Sequence, residues 1–338
     1  MQKTGVLREG GIRFVFWRST NNIQDEFMRQ SRAIFFGVLI HLFTFQNGSG
    51  ATFVATGSMQ VPRDASAGGI LLPNGKVFAA GPVAKTNQPP AELYDPASGS
   101  WRATTFYPVP DGHTTTLLAN GKVLISGGLV FQPGFTTEIA SAAVYDSDTE
   151  TWSPAADMVT ARYSAMATLL ADGRVMVAGG YYYFFGSVAL ADAEIYDPAT
   201  GNWTATARMN TERANASIFR LPNGEVLVLG GRGFLPGDYT GGPPLDTAEI
   251  YDPQADKWRL AAKRPAGPGI VTATMLPSGK ILVVGNVLGS DDQPVSPRAD
   301  IYDPATGQWT DTGAPLDLRL DSTAMLLQDG KVLVCGGP

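Results

Sequence analysis

Four arginines hold one position in the chain's internal frame. Arg162, Arg213 and Arg319 each lie 11 residues ahead of a glycine in an Asp-Gly or Asn-Gly pair, and Arg63 lies 12 ahead. Guanidinium forks gathered at one place would form a cationic mouth for carboxylates. The competing reading has each fork hydrogen-bonding loop carbonyls of its neighbour, since such forks commonly brace loops. Pro110 and Pro268 hold the position in two other repeats, so the set is incomplete. A second group is mostly aromatic: Phe131 and Phe135, then the run Tyr181, Tyr182, Tyr183, Phe184 and Phe185, then Phe234 and Tyr239 beside Arg232. Aromatic faces suit stacking on sugars or peptides. The alternative is that they fold down on neighbouring loops, although a run of five is long for that. Catalytic signatures are sparse. The chain has no Cys-x-x-Cys pair, no Gly-x-Ser-x-Gly elbow and no phosphate-binding glycine loop. Acidic residues are plentiful, but those in the Tyr-Asp pairs belong to turns, and no catalytic carboxylate pair stands out.

The elements that position these residues repeat. A Tyr-Asp pair begins at Tyr94, Tyr145, Tyr196, Tyr251 and Tyr302, at steps of 51, 51, 55 and 51 residues. Trp101, Trp152, Trp203, Trp258 and Trp309 each follow by seven. Gly81, Gly128, Gly180, Gly231, Gly285 and Gly337 close apolar runs. Each unit reads as four short strands: a small apolar one, an Asn-Gly or Asp-Gly hairpin expected to be type I′, and a second strand apolar on both faces. A glycine pair breaks the chain there. The third strand ends in Tyr-Asp, and a tight Asp-Pro-x-x-Gly loop leads to the fourth, which carries the tryptophan. Four antiparallel strands per unit of this length make one propeller blade, which buries its faces only by stacking on neighbours. The tryptophans are expected to fill the space between blades.

The glycine pair, the Tyr-Asp-Pro and the later tryptophan resemble Kelch repeats. The Leu-Pro-Asn-Gly-Lys-Val and Ala-Glu-Ile-Tyr-Asp-Pro-Ala-Thr-Gly runs resemble in particular the bacterial Kelch and galactose-oxidase central-domain type. The likeness covers residues 50 to 337 and departs from the pattern where Ala80 and Val284 replace the first glycine and Asn286 follows Gly285. It implies an all-β, Kelch-type β-propeller of about six four-stranded blades. It says little of function, because propellers host many activities. The galactose-oxidase likeness would imply a copper-radical site with two histidine and two tyrosine ligands and a cysteine crosslinked to tyrosine. The chain has two histidines, His41 and His113, and one cysteine, Cys335, in an apolar strand reading Val-Leu-Val-Cys. That count does not fill the set, so no cofactor or metal is expected. A sugar-isomerase activity, known among six-bladed Kelch propellers, would need arginine and acidic groups in the channel.

The last blade is expected to be shared and incomplete. Gly50 to Met59 aligns with Gly201 to Met209 if Phe53 stands for Trp203, so residues 52 to 57 read as its outer strand. Asp321 to Leu327 and Lys331 to Cys335 supply its inner strands, and no third strand follows before Pro338. This predicts a longer natural protein. Ahead of the propeller, an apolar run over 33 to 45 follows Arg29 and Arg32 and precedes Gly48-Ser49-Gly50-Ala51. That is a secretory signal in form, too short to span a bilayer. Met28 can begin it, which makes residues 1 to 27 an upstream extension, 28 to 51 the signal and 52 to 338 the propeller. No cysteine follows to take a lipid anchor. The net charge of −6 argues against nucleic acid. The expected product is a secreted monomer without a stable membrane anchor. It binds a protein or a glycan without catalysis, through the rim of long loops after the second and fourth strands. The alternatives are a scaffold part of a larger secreted protein and a carbohydrate-active enzyme with its site at the channel mouth.

Overall fold

The computed structural model describes residues 14–15, 56–61, 69–81, 91–132, 135–183, 187–234, 242–265, 267, 269–288, 294–315, 322–327 and 329–336. It divides into two compact units. One holds Arg32–Thr206, the other Ala207–Pro338 with Met1–Ser31. Every described element is a strand. The 32–206 unit contains three four-stranded antiparallel blades. The first is Gly69–Leu71, Val77–Ala80, Ala91–Asp95 and Ser100–Ala103. The second is Thr114–Leu117, Val123–Ser126, Ala142–Asp146 and Thr151–Ala155. The third is Met166–Leu169, Val175–Ala178, Ala193–Asp197 and Asn202–Ala205.

The other unit contains the fourth blade, Ser217–Arg220, Val226–Leu229, Ala248–Asp252 and Lys257–Ala261. The fifth follows as Ile270–Met275, Ile281–Leu288, Pro294–Asp303 and Gln308–Gly313. A sixth, partial blade pairs Ser322–Leu326 with Val332–Gly336. The outer edge of Val332–Gly336 carries a two-residue strand, Phe14–Val15, paired in parallel. The closing strand expected over residues 52 to 57 lies mostly outside the described residues. Of it, Gly57 donates its N–H to the Gly99 carbonyl at 2.9 Å.

Burial follows the strand's place in the blade. The second strands of the second, third and fourth blades are buried at every position, whereas the outer strand Asn202–Ala205 is mostly exposed. A strand covered on both faces must be apolar throughout, which is why these segments read Val-Leu-Val-Leu rather than alternating. Adjacent blades share their cores. Phe78 and Leu93 of the first blade cluster with Val123, Ile125 and Tyr145 of the second. Leu227, Leu229 and Ile250 cluster likewise with Ile281, Val283 and Tyr302. Each tryptophan lies 5.0 to 5.2 Å from the tyrosine of its own blade. Its indole N–H reaches back: Trp152 donates to Thr105, Trp203 to Ala156, Trp258 to Ala207 and Trp309 to Ala262. The half-buried indole thereby finds an acceptor for its N–H while its rings pack against the tyrosine of its blade.

Two local expectations are corrected. The Asn-Gly and Asp-Gly hairpins are not type I′, because only the glycine has positive φ: 80° at Gly75, 82° at Gly121 and 87° at Gly173, with no positive φ at Asn74, Asn120 or Asp172. Gly75 N–H donates to the Leu72 carbonyl, and Leu72 N–H to the Lys76 carbonyl. That is a type I turn followed by a left-handed glycine. The Asn or Asp side chain adds a bond, as where Asn74 Oδ1 accepts from Lys76 N–H at 3.1 Å. Strand register also relocates the glycine pairs. Val226 pairs with Tyr251 and Ile281 with Tyr302, so Gly285 matches Gly230, the first glycine, and Asn286 takes the second position. By the same register Gly81 is a first glycine.

Candidate functional site

The third and fourth blades treat their lead-in arginine alike. Arg162 is 1% exposed. Its Nη1 donates to the carbonyls of Gly179 and Asp192, both at 2.8 Å, and its Nη2 to Glu194 Oε1 at 2.7 Å. Arg213 is 0% exposed. Its Nη1 donates to Gly230 and Thr247 carbonyls at 3.0 and 3.2 Å, and its Nη2 to Glu249 Oε1 at 2.8 Å. Burial holds the Arg213 pKa below the usual guanidinium range, against the opposing pull of Glu249. The glutamates are engaged from the other side as well. Val159 and Thr160 N–H groups donate to Glu194, and Asn210 and Thr211 N–H groups to Glu249.

Glycine pairs make this arrangement possible. Gly230 and Gly231 have φ of 68° and 86°, and a Cβ on Gly231 would lie 2.5 Å from the Ala214 carbonyl oxygen. Only glycine takes two such residues in succession without strain. The chain therefore leaves the ladder at Leu229↔Ala248 and turns the Gly230 carbonyl toward the arginine. Arg162 and Arg213 are thus corrected from a solvent-facing mouth to interior braces, because their forks are enclosed and engaged. Arg63 and Arg319 lie outside the described residues.

Sequence reasoning missed the acidic half of these braces, and missed Arg264. The signal was present: the Ala-Glu-Ile-Tyr-Asp runs carry Glu194 and Glu249. The second blade, with Pro110 in place of the arginine, has Ala143 in place of the acid. Both partners vanish together, as a pair does. In the fifth blade Arg264 stands in four residues before Pro268, and its Nε donates to Asp300 Oδ2 at 2.8 Å. Glu92 of the first blade accepts from Gln60 N–H at 3.0 Å.

The aromatic candidates divide. Leu129–Gln132 pairs with Phe135–Glu138, and Tyr181–Tyr183 with Ser187–Ala189, so two of the expected long loops are β-hairpins. Isolated bridges tie each hairpin to its blade's lead-in, at Asp111↔Leu129 and Tyr163↔Tyr181. This sets the connections after the second and fourth strands at one end. The two hairpins lie side by side through Tyr181–Tyr183 and Phe135–Glu138. Phe131 is 60% exposed and Tyr182 39%, whereas Tyr181 is buried at 4% against the Tyr163 ring, 5.4 Å between centroids. Tyr181 is therefore a prop for the hairpin and not a contact surface. Phe234, in the other unit, is 39% exposed. Phe184, Phe185, Tyr239 and Gly337 lie outside the described residues, as does the Tyr183 side chain.

For the copper-radical set, the residues do not fit. His113 Nδ1 lies 2.7 Å from the Pro110 carbonyl, and Cys335 sits mid-strand opposite Thr323. Among the described residues no three of His, Cys, Asp and Glu gather to hold a metal.

Five four-stranded blades with recurrent glycine, Tyr-Asp and tryptophan positions define a Kelch-repeat β-propeller. The family model described as Kelch motif matches residues 162–210 and 222–265. Among curated proteins the chain is similar to Kelch-like protein 25 of Xenopus tropicalis, 28% identical over 222 residues, covering 64% of this chain and 35% of that protein. It is also similar to galactose oxidase of Gibberella zeae, 25% identical over 235 residues, covering 64% of this chain and 33% of that enzyme. The chain thus spans well under two thirds of these relatives. The solved structure of YjhT shares the fold with a TM-score of 0.60 at 14% identity, covering 78% of this chain and 87% of that one.

Proposed function

We propose that this propeller is a secreted, non-catalytic recognition module that holds a protein or glycan partner at the blade ends of its 32–206 unit. The observation that carries the reading is the pair of adjacent hairpins presenting Phe131 and Tyr182 to solvent. Exposed aromatics on rigid β-structure offer large contact area at little ordering cost. Arg162, the described lead-in arginine of this unit, is engaged in the interior and is not offered to a partner. The sequence over residues 28 to 51 supports export, and similarity to Kelch-like proteins supports a protein partner over a glycan. No helix among the described residues is long and apolar enough to cross a membrane.

The test is the exported protein with Phe131→Ala and Tyr182→Ala, probed on a glycan array and by quantitative crosslinking to surface proteins of the producing cell. Binding should fall at least tenfold in the double variant. It should persist in Phe106→Ala, which removes an aromatic 65% exposed but off the hairpins. Equal loss in both, or retention in the double variant, overturns the hairpin assignment. An intact mass beginning near Thr52 supports export, and an uncleaved chain refutes it.

A further inference from the structure

We propose that a cleft between the second and third blades, at the end opposite the two aromatic hairpins, binds one ring of a neutral sugar. The cleft has a volume of about 290 Å³, at the small end for a ligand pocket. One face of the second blade forms its first wall. Val144 pairs with Ser153 and Asp146 with Thr151, so these four side chains share that face. Tyr196 and Pro198 of the third blade form the other wall. Two other junctions show what is missing here. The register position of Ser153 holds Arg102 in the first blade, opposite Leu93, and Arg259 in the fourth, opposite Ile250. Each arginine is bridged to a carboxylate, Arg102 to Glu150 of the second blade and Arg259 to Glu225. Their charges act on the tyrosine of the following blade, Tyr145 and Tyr302. A guanidinium and an acid thus lie at those junctions. Between the second and third blades Ser153 replaces the arginine, and Gly201 stands where Glu150 does, five residues after the tyrosine. Both members of the bridge are gone, and a cleft remains in their place.

The groups that line the cleft select its ligand. Lys122 Nζ lies 3.0 Å from Asp146 Oδ2. The pair is neutral as a whole, so a charged ligand would meet no uncompensated opposite charge to offset its lost hydration. Asp146 Oδ1 already accepts from the Asp148 and Thr149 N–H groups. Its Oδ2 keeps a second acceptor position, and the ammonium keeps two of its three donors. A hydroxyl both donates and accepts, so neighbouring hydroxyls of one ring can give to Asp146 and take from Lys122 in turn. Ser153, exposed on the same face, adds a further hydroxyl. Val144, Pro154, Pro198 and Tyr196 supply apolar surface for the C–H edges of the ring. A bare ion would leave that surface unused. A guanidinium would meet Lys122, at the chain position where Arg259 finds Glu225. The site goes beyond the hairpin reading and does not depend on it.

Saturation-transfer NMR on the full chain tests this, with glucose, galactose, mannose and xylose as probes and glucuronate and arginine methyl ester as charged controls. The expected result is saturable transfer to at least one neutral sugar, stronger than to either control. Ser153→Arg combined with Gly201→Glu rebuilds the first-blade bridge across the cleft. The glycine site can take it: a Cβ on Gly201 meets nothing within 4 Å, and Glu150 holds the same loop position at a φ of 56°. Sugar binding should weaken at least tenfold in this variant and stay unchanged in Phe131→Ala with Tyr182→Ala. If the bridged variant fails to fold, Ser153→Arg alone, at an exposed position, should give the same loss. Transfer to none of the sugars, stronger transfer to a charged control, or undiminished binding with the cleft filled overturns the proposal. Sugar binding lost only in the hairpin variant also overturns it, and leaves the hairpin reading standing.

Discussion

The fourth and fifth blades set the same arginine against the same third strand and end differently. In the fourth, two positive-φ glycines bend the chain away, and Arg213 finds two carbonyls and Glu249. In the fifth, Asn286 lets the strands run four pairs further, and Arg264 is left with one oxygen of a shared aspartate. The lesson is that the glycine pair does more than turn the chain. It decides whether strand carbonyls go to the ladder or to the guanidinium.

The largest effect should come from breaking a complete brace. Glu249→Ala strands a fully buried Arg213 and should cost about 3–5 kcal/mol in urea unfolding. The exposed pair Arg102–Glu150, with side chains 42% and 38% exposed, should lose less than about 1 kcal/mol on Glu150→Ala. A similar loss at both sites would erase the distinction between brace and surface pair.

A smaller contrast separates two tyrosines in the same repeat position. Tyr251 donates its hydroxyl to Asp256 at 2.9 Å, so Tyr251→Phe should cost about 0.5–1.5 kcal/mol. Tyr145 is fully buried with its hydroxyl unpartnered, so Tyr145→Phe should be neutral or stabilising. The pH profile sharpens this. Burial pushes the Tyr145 pKa from 10.0 to about 12. Raised in the folded state, it contributes stability that is full below pH 10 and lost as pH rises toward 12. Tyr145→Phe should therefore move base-induced unfolding, followed by circular dichroism, to higher pH. The smallest effects lie on the acid side. Hydrogen bonds from Lys122 and Lys280 hold Asp146 and Asp303 below 3.8, so their stabilisation is present above that value and fades as pH falls beneath it.

Much of this was legible beforehand, and the physics says why. Tyr145, Trp152 and their counterparts recur because each blade repeats one packing problem, so the four-stranded unit could be read from spacing alone. The lead-in arginines were visible, but their partners were not. Glu194 and Glu249 recur in the Ala-Glu-Ile-Tyr-Asp runs, but nothing local to a run ties its acid to an arginine far earlier in the chain, and only register brings them under Arg162 and Arg213. Arg264 escaped because it stands four residues off the frame and reaches Asp300 through three dimensions. Tyr181 and Tyr182 are neighbours in sequence with opposite fates, since successive side chains of a strand face opposite ways.

The most direct test is a double-mutant cycle on the fourth-blade brace, with Arg213→Met, Glu249→Leu and the pair measured by urea unfolding. An interior brace predicts that each single change costs about 3–5 kcal/mol and that the double variant recovers most of it, because two apolar side chains replace a buried ion pair at little net cost. Single losses under about 0.5 kcal/mol that simply add would mean Arg213 faces solvent and contradict the account.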